Sequence, residues 1–239
     1  MLAIFKREMR SFFTTSIGYI FLASAMAISA ILFAITTIFS QTADMSVYFS
    51  GLIIILMIFL PILTMKSFSE EKRTKTEQLL LTSPVSTTQM VLGKFFSAVV
   101  MLVIFLFTSL IFLIPLGMYV ADGSSGPGAA LVMGNLMALL LVGMCFISIG
   151  IFISSLTENQ FAAIVMTIMT LLVLFFISLF SSIVDSYAVR VVLDWLSIFA
   201  RYTYFTYGIF DIGALIYYIS ITGVLVFLTV RVFEARKYN

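Results

Sequence analysis

The charged segment of residues 66–84 is the part of the chain whose residue types could take part in polar chemistry. Eight of the chain's 24 charged residues lie between Lys66 and Lys94, in the one long polar interruption of an otherwise apolar sequence. We therefore expect the main contact of this protein with the aqueous phase to lie in this segment.

Several kinds of active site are excluded by the residues that the sequence lacks. The chain has no histidine, which removes Ser–His and Cys–His nucleophile pairs, histidine metal ligands and histidine proton relays. Gly93-Lys94 is followed by Phe95 and lacks the earlier glycine of a phosphate-binding loop, so the chain does not bind ATP by that route. The sequence predicts no catalytic residue, no metal ligand and no cofactor in this chain.

Six continuous apolar runs must position the charged segment. Of the 239 residues, 62% are hydrophobic and 10% charged, which excludes a water-soluble fold because such folds carry about a quarter charged residues. Each run is long enough to cross the hydrocarbon core as a helix of about 20 residues, and none alternates as a barrel strand does. The runs are 17–39, 47–65, 95–120, 129–155, 161–183 and 209–230. The prediction is one all-α integral membrane domain over residues 1–239, with six transmembrane helices.

The distribution of basic residues predicts the orientation. Eleven of the 13 Lys and Arg residues lie on one side of the predicted bundle, and only Arg190 and Arg201 lie on the other. By the positive-inside rule the first side is cytoplasmic, and six spans place both termini there. We expect a multi-pass protein of the cytoplasmic (inner) cell membrane. The runs carry no ionisable residue at mid-depth, which argues against a proton-coupled transporter or pump.

Residues 1–14 are predicted to form an amphipathic helix in the plane of the lipid headgroups. On a helical wheel Leu2, Phe5 and Met9 share one face, and the basic residues lie away from it. The alternative is a charged tail that serves only to set the topology.

Capping signals divide the polar segment. Thr74 and Glu77 fit a capping box and Pro84 supplies a stop, which predicts a short helix over residues 75–82. A second capping box, Ser86 with Gln89, begins the third transmembrane helix, predicted over 87–120.

Two other polar segments are predicted to be exposed. The turn Thr157–Gln160 between the fourth and fifth runs is too short to move independently of its helices. On the opposite side, residues 186–203 are predicted to form an amphipathic helix that lies at the interface or re-enters the bundle. One stripe of this helix would carry Arg190, Asp194, Ser197 and Arg201. The stripe is interpreted as a solvated face on which Arg190 pairs with Asp194, or as a contact for an exported substrate or an accessory protein.

The polar segment closely resembles that of ABC-2 type transporter permeases, and is most similar to the gliding-motility type. The family pattern is a Phe-x-Glu-Glu-Lys/Arg segment, then Thr-x-x-Leu-Leu, a Pro, and Val-Leu-Gly-Lys-Phe at the start of the third helix. The matching residues are Phe68, Glu70, Glu71, Lys72, Arg73, Thr76, Leu79, Leu80, Leu81, Ser83, Pro84, Val91, Leu92, Gly93, Lys94 and Phe95. Where the family usually has glycine before the threonine, this chain has Lys75, so we expect the helix to continue through that position.

The resemblance implies a docking role for two segments. Residues 69–83 would form a coupling helix that docks into a groove on a cytoplasmic ATP-binding cassette subunit, and the turn after the fourth span would touch the same subunit. The residues that the resemblance assigns to this contact are Phe68, Glu70, Glu71, Lys72, Arg73, Thr76, Glu77, Leu79, Leu80, Ser83, Pro84, Thr157, Glu158 and Asn159.

The function implied by the resemblance is that of the permease subunit of an ATP-driven exporter working by alternating access. Mg-ATP would be bound and hydrolysed by the partner ATPase, so this chain would not itself be an enzyme. A second permease chain, identical or related, would complete the membrane pathway. An accessory extracytoplasmic protein is an open possibility, membrane lipid surrounds the chain, and no nucleic acid is expected. Two alternatives are an intramembrane enzyme acting on lipid and a membrane anchor for an ATPase complex with a mechanical role.

Overall fold

The computed structural model of the chain describes residues 1–40, 45–76, 86–120, 128–184, 187–206 and 211–238. All regular structure in these ranges is helical. The α-helices are Leu2–Thr14, Ser16–Phe33, Ser46–Thr64, Ser69–Arg73, Thr87–Ser109, Leu113–Val120, Ala129–Leu156, Gln160–Ile183, Tyr187–Leu196, Thr203–Thr206 and Ile212–Tyr238. A π-helical segment, Ala34–Phe39, extends the second of these, and short 3₁₀ segments cover Leu110–Phe112 and Ala200–Tyr202.

Within the described ranges, six helices are long and apolar enough to cross a membrane, as predicted. We call them spans 1 to 6; they begin at Ser16, Ser46, Thr87, Ala129, Gln160 and Ile212. Span 3 begins at the predicted cap, where the Ser86 hydroxyl accepts a hydrogen bond from the Gln89 amide at 3.3 Å. Span 6 continues as a helix to Tyr238, two turns beyond its predicted end at 230.

Span 4 occupies the centre of the bundle and packs against spans 2, 3, 5 and 6. It is the most buried of the six, whereas fewer than a third of the residues in the apolar stretches of spans 1, 5 and 6 are buried. Close packing depends on small residues, as is common between membrane helices. At Gly150, a Cβ atom would overlap the Thr64 hydroxyl of span 2, so only glycine allows the two helices to approach this closely.

The N-terminal helix is confirmed as an element, Leu2–Thr14. It packs against the start of span 3, where Ile4 is buried beside Gly93. A second helix and several span ends meet there: Ser69–Arg73, the start of span 3 and the ends of spans 4 and 6. We call this end of the molecule the basic end, since it carries Arg7, Lys94 and Arg236, and the other the opposite end.

The chain between spans 5 and 6 consists of the helix Tyr187–Leu196, which we call the outer helix, and a following segment that packs inside the bundle. The outer helix ends at Leu196 and not at the predicted residue 203. Beyond it Ile198, Tyr202 and Phe205 are buried. The segment is held by neutral hydrogen bonds. The Tyr218 hydroxyl donates to the Ile198 carbonyl at 2.7 Å, and the Tyr202 hydroxyl donates to Oδ1 of Asn135 at 2.8 Å.

Candidate functional site

The segment after span 2 is anchored to span 4 by one buried serine. The Ser154 hydroxyl accepts hydrogen bonds from the amides of Phe68 and Ser69, both at 3.1 Å, and donates to the Met65 carbonyl at 3.0 Å. A hydroxyl offers one donor and two acceptor positions, so every hydrogen-bonding position of this side chain is used. Ser154 therefore fixes the start of the Ser69–Arg73 helix relative to the centre of the bundle.

Phe68 anchors the same segment to span 6. Its side chain is 1% exposed, and its ring centroid lies 4.5 Å from that of Phe233. Next to it, Arg236 of span 6 donates to the Ser155 carbonyl of span 4 at 2.8 Å. Phe68 was predicted to contact a partner, but the structure places it inside this chain. Its burial means that it holds the segment in place and does not itself form a docking surface.

Four charged side chains link the N-terminal helix, the polar segment and span 3, and we call them the four-charge cluster: Arg7, Glu8, Glu71 and Lys94. The Lys94 ammonium is 2% exposed and lies 2.8 Å from the Glu71 carboxylate and 3.6 Å from that of Glu8. It also donates to the Ser67 carbonyl. Arg7 lies 2.8 Å from both carboxylates. A buried ammonium is costly unless it is paired, so this arrangement gives Lys94 the partners that it requires.

The two carboxylates of the cluster stabilise the positive charge of the Arg7 guanidinium. Burial opposes the charge on this guanidinium, but the hydrogen bonds and negative charges of Glu8 and Glu71 outweigh that effect and raise its pKa above the ordinary value. The cluster joins two basic and two acidic side chains from three elements that are distant in sequence.

The solvent-facing part of the site is smaller than the sequence predicted. Residues 73–76 and the turn residues Glu158 and Asn159 are exposed, whereas Glu70, Glu71, Lys72 and Thr157 are partly buried. The Ser69–Arg73 helix contacts the end of span 4 and the start of span 5, so the two predicted docking segments are brought together. Asn159 also caps span 5, since its Oδ1 accepts from the Phe161 amide at 2.9 Å.

Most of the chain matches a known family. Residues 35–233 match the sequence model of the family described as ABC-2 family transporter protein. This chain belongs to the ABC-2 transporter family. No curated protein matches it. The family match and the six apolar helices together establish a multi-pass membrane protein of a transport family.

In this ABC-2 protein the predicted coupling helix breaks where the family usually has glycine. The helix ends at Arg73, and Lys75 has a φ of 56°, in the left-handed region that favours glycine. The expectation of a helix that continues through Lys75 is therefore wrong, because the backbone keeps the conformation natural to glycine although the side chain differs. Five further predicted residues lie outside the described ranges: Glu77, Leu79, Leu80, Ser83 and Pro84.

The predicted stripe on the outer helix of this ABC-2 protein does not form one surface. Arg190 is exposed and Asp194 partly buried, and the structure records no ion pair between these two described residues. Ser197 is buried beyond the end of the helix, where its hydroxyl accepts from the Ala200 amide at 3.0 Å. Arg201 lies over the rings of Trp195 and Tyr217, 5.5 Å and 4.2 Å from their centroids. The termination of the helix at Leu196 separates the four positions.

Sequence reasoning missed the roles of Ser154 and Lys94. The sequence assigns no role to Ser154, and it counts Lys94 only among the basic residues of the predicted cytoplasmic side and among the residues of the family pattern. The one available signal was the position of Lys94 in the Val-Leu-Gly-Lys-Phe motif at the start of the third helix. Neither spacing nor composition indicates that a lysine is buried or that a serine binds another helix.

Proposed function

We propose that this chain is the permease subunit of an ATP-binding cassette exporter, with the basic end and both termini on the cytoplasmic side of the cytoplasmic membrane. A separate ATPase subunit binds and hydrolyses Mg-ATP and docks on residues 73–76 and on the turn of Glu158 and Asn159. The observation that carries the proposal is the firm attachment of this exposed surface to the centre of the bundle through Ser154. The resemblance to the gliding-motility type suggests the same arrangement.

The attachment suggests how ATPase closure would reach the membrane. A displacement of the Ser69–Arg73 helix is passed to span 4 by the three hydrogen bonds of Ser154, and to span 6 by the contact of Phe68 with Phe233. Span 4 packs against four of the other spans, so a tilt of span 4 would shift the positions of those four helices. Alternating access would follow from this movement in a pair of permease chains, identical or related.

The docking surface is tested by charge reversal of Arg73, with Lys237→Glu as the matched control. Both residues are exposed basic side chains, and Lys237 lies on the last turn of span 6. Arg73→Glu is expected to reduce co-purification of an ATPase that carries a Walker motif by tenfold or more, since it places repulsion at the interface. Lys237→Glu is expected to retain it. A monodisperse chain that never co-purifies with such an ATPase would contradict the proposal.

The same docking geometry would also serve a membrane anchor for a mechanically acting ATPase complex. Reconstitution of the permease and ATPase in vesicles separates the two functions. Export predicts ATP-dependent movement of a candidate substrate, such as a fluorescent lipid or peptide, across the bilayer. An anchor predicts ATPase binding without such movement for every substrate tested.

A further inference from the structure

A cavity of about 420 Å³ lies at the basic end, between the N-terminal helix and the segment that follows span 2. The four-charge cluster forms one wall, and Lys66 and Glu70 extend the charged part of the lining. The lining also contains apolar side chains, which are Phe12 of the N-terminal helix, Ile17 at the start of span 1 and Leu63 at the end of span 2. A cavity of this size is within the range of small-molecule sites.

The charges of the lining are balanced, with three basic and three acidic side chains. A purely anionic ligand would meet as many carboxylates as cations, and a purely cationic ligand would face the reverse problem. A ligand that carries one charge of each sign can satisfy both sets. The polar part of the lining joins the apolar part where two membrane spans end, which is the depth of the headgroups next to the acyl chains.

We propose that this cavity binds the headgroup of an aminophospholipid, whose phosphate and primary ammonium are joined by a two-carbon linker. Arg7 contacts both of its carboxylates through Nη2 alone, which leaves Nε and Nη1 to donate to a phosphate. Lys66 lies 3.8 Å from Glu70, longer than a direct hydrogen bond, so both groups can turn toward a ligand. Glu70 accepts from the ammonium, and the Thr74 and Thr76 hydroxyls line the same part of the cavity.

The apolar lining determines how the lipid enters. Ile17 lies at the start of span 1 and Leu63 at the end of span 2, so the apolar lining belongs to two membrane-spanning helices, and the acyl chains would remain in the membrane while the headgroup occupies the cavity. The bound lipid would lie between the N-terminal helix and the polar segment and add contacts between them. The site needs only this chain, so it does not depend on the proposed ATPase partner.

The test is a titration of the purified full-length chain in detergent with phosphatidylethanolamine, phosphatidylcholine and phosphatidylglycerol of identical acyl chains, followed by native mass spectrometry. Phosphatidylethanolamine is expected to bind about tenfold more tightly than phosphatidylcholine, because trimethylation removes the N–H donors for Glu70. Equal binding of these two lipids, or tighter binding of phosphatidylglycerol, would overturn the proposal.

Matched variants locate the binding site. Glu70→Gln is expected to weaken phosphatidylethanolamine about tenfold, to the level of phosphatidylcholine, while Glu234→Gln leaves it unchanged. Glu234 is a carboxylate at the same end that pairs with Arg231 outside the cavity. Ser11→Trp fills the cavity from an exposed position without removing a charge and should abolish the preference. Gel-filtration elution and the lipid-free melting temperature check that each variant is folded. Equal effects of Glu70→Gln and Glu234→Gln, or an unchanged preference in folded Ser11→Trp, would also contradict the proposal.

Discussion

The two ends of the molecule are held together by different chemistry. At the basic end, charged side chains join elements far apart in sequence, and every ion pair between described residues is located there. At the opposite end, the segment before span 6 is held without ion pairs between described residues. Its contacts are neutral hydrogen bonds such as Tyr202 with Asn135, aromatic contacts such as Phe199 with Phe175, and the packing of Arg201 over aromatic rings.

The difference indicates which end is built to resist displacement. Breaking a buried ion pair leaves an unpaired charge, whereas breaking a neutral hydrogen bond costs much less. The basic end should therefore move as one unit if the proposed ATPase displaces it. The opposite end can rearrange at lower cost, as an exit route for a substrate would require.

The largest expected effect is that of removing the central cation of the four-charge cluster. Lys94→Met keeps most of the side-chain volume but leaves two carboxylates, Glu8 and Glu71, to share the single cation of Arg7, so the cluster carries an excess negative charge. We expect the free energy of unfolding, measured by SDS titration in mixed micelles, to fall by about 3 kcal/mol. Adding Glu71→Gln should restore part of the loss. If Lys94→Met lowers the free energy of unfolding by no more than about 1 kcal/mol, as the loss of a neutral hydrogen bond would, the contrast between the two ends is wrong.

The next effect in size concerns the serine that attaches the polar segment to span 4. Ser154→Ala removes three hydrogen bonds in a buried position, and we expect a loss of about 2 kcal/mol in the same titration. Ser50→Ala is the control, because Ser50 is exposed and its hydroxyl bonds only to the Ser46 carbonyl in its own helix. Similar losses in both variants would show that Ser154 is no special anchor.

A smaller effect is expected at the opposite end. Tyr202→Phe removes one neutral hydrogen bond and leaves Asn135 its bond to the Leu131 carbonyl. The expected loss is about 1 kcal/mol, against almost none for Tyr19→Phe, an exposed tyrosine. A loss as large as that of Lys94→Met would mean that the opposite end is equally rigid.

The smallest effect, and the only gain, is expected at Lys75. Lys75→Gly relieves the left-handed backbone but gives the unfolded chain more freedom, so the net gain in stability should be about 0.5 kcal/mol. Lys237→Gly, inside the helix of span 6, should instead lower stability or leave it unchanged. A loss on Lys75→Gly would show that the lysine side chain contributes at this position.

Local sequence signals predicted the elements well where they depend on one stretch of chain. The number of spans follows from the length of the apolar runs, and the start of span 3 follows from the Ser86 capping box. The outer helix was predicted too long, because the periodicity of apolar and polar residues continues past Leu196. It ends there because the bundle binds the next residues: the Ile198 carbonyl is taken by Tyr218 and Phe199 packs against Phe146.

The candidate site was predicted only in part, because it too depends on contacts between distant parts of the chain. The resemblance named the polar segment and the turn after span 4 together, and the structure places these two segments in contact, but it assigned Phe68 to a partner and gave no role to the burial of Lys94. Whether a side chain faces solvent or another helix depends on elements that lie 20 or more residues away. A single sequence carries no direct record of those neighbours.

By itself the sequence determined that this protein is a bundle of six membrane helices with its basic residues gathered at one end. These properties depend on the length and polarity of single stretches of chain, because each stretch partitions between lipid and water according to its own residues. Only the tertiary structure decided which of the polar residues are exposed and which are paired inside the protein. That choice depends on contacts between Glu8, Glu71 and Lys94, or between Ser154 and Phe68, and such contacts exist only after the helices have packed.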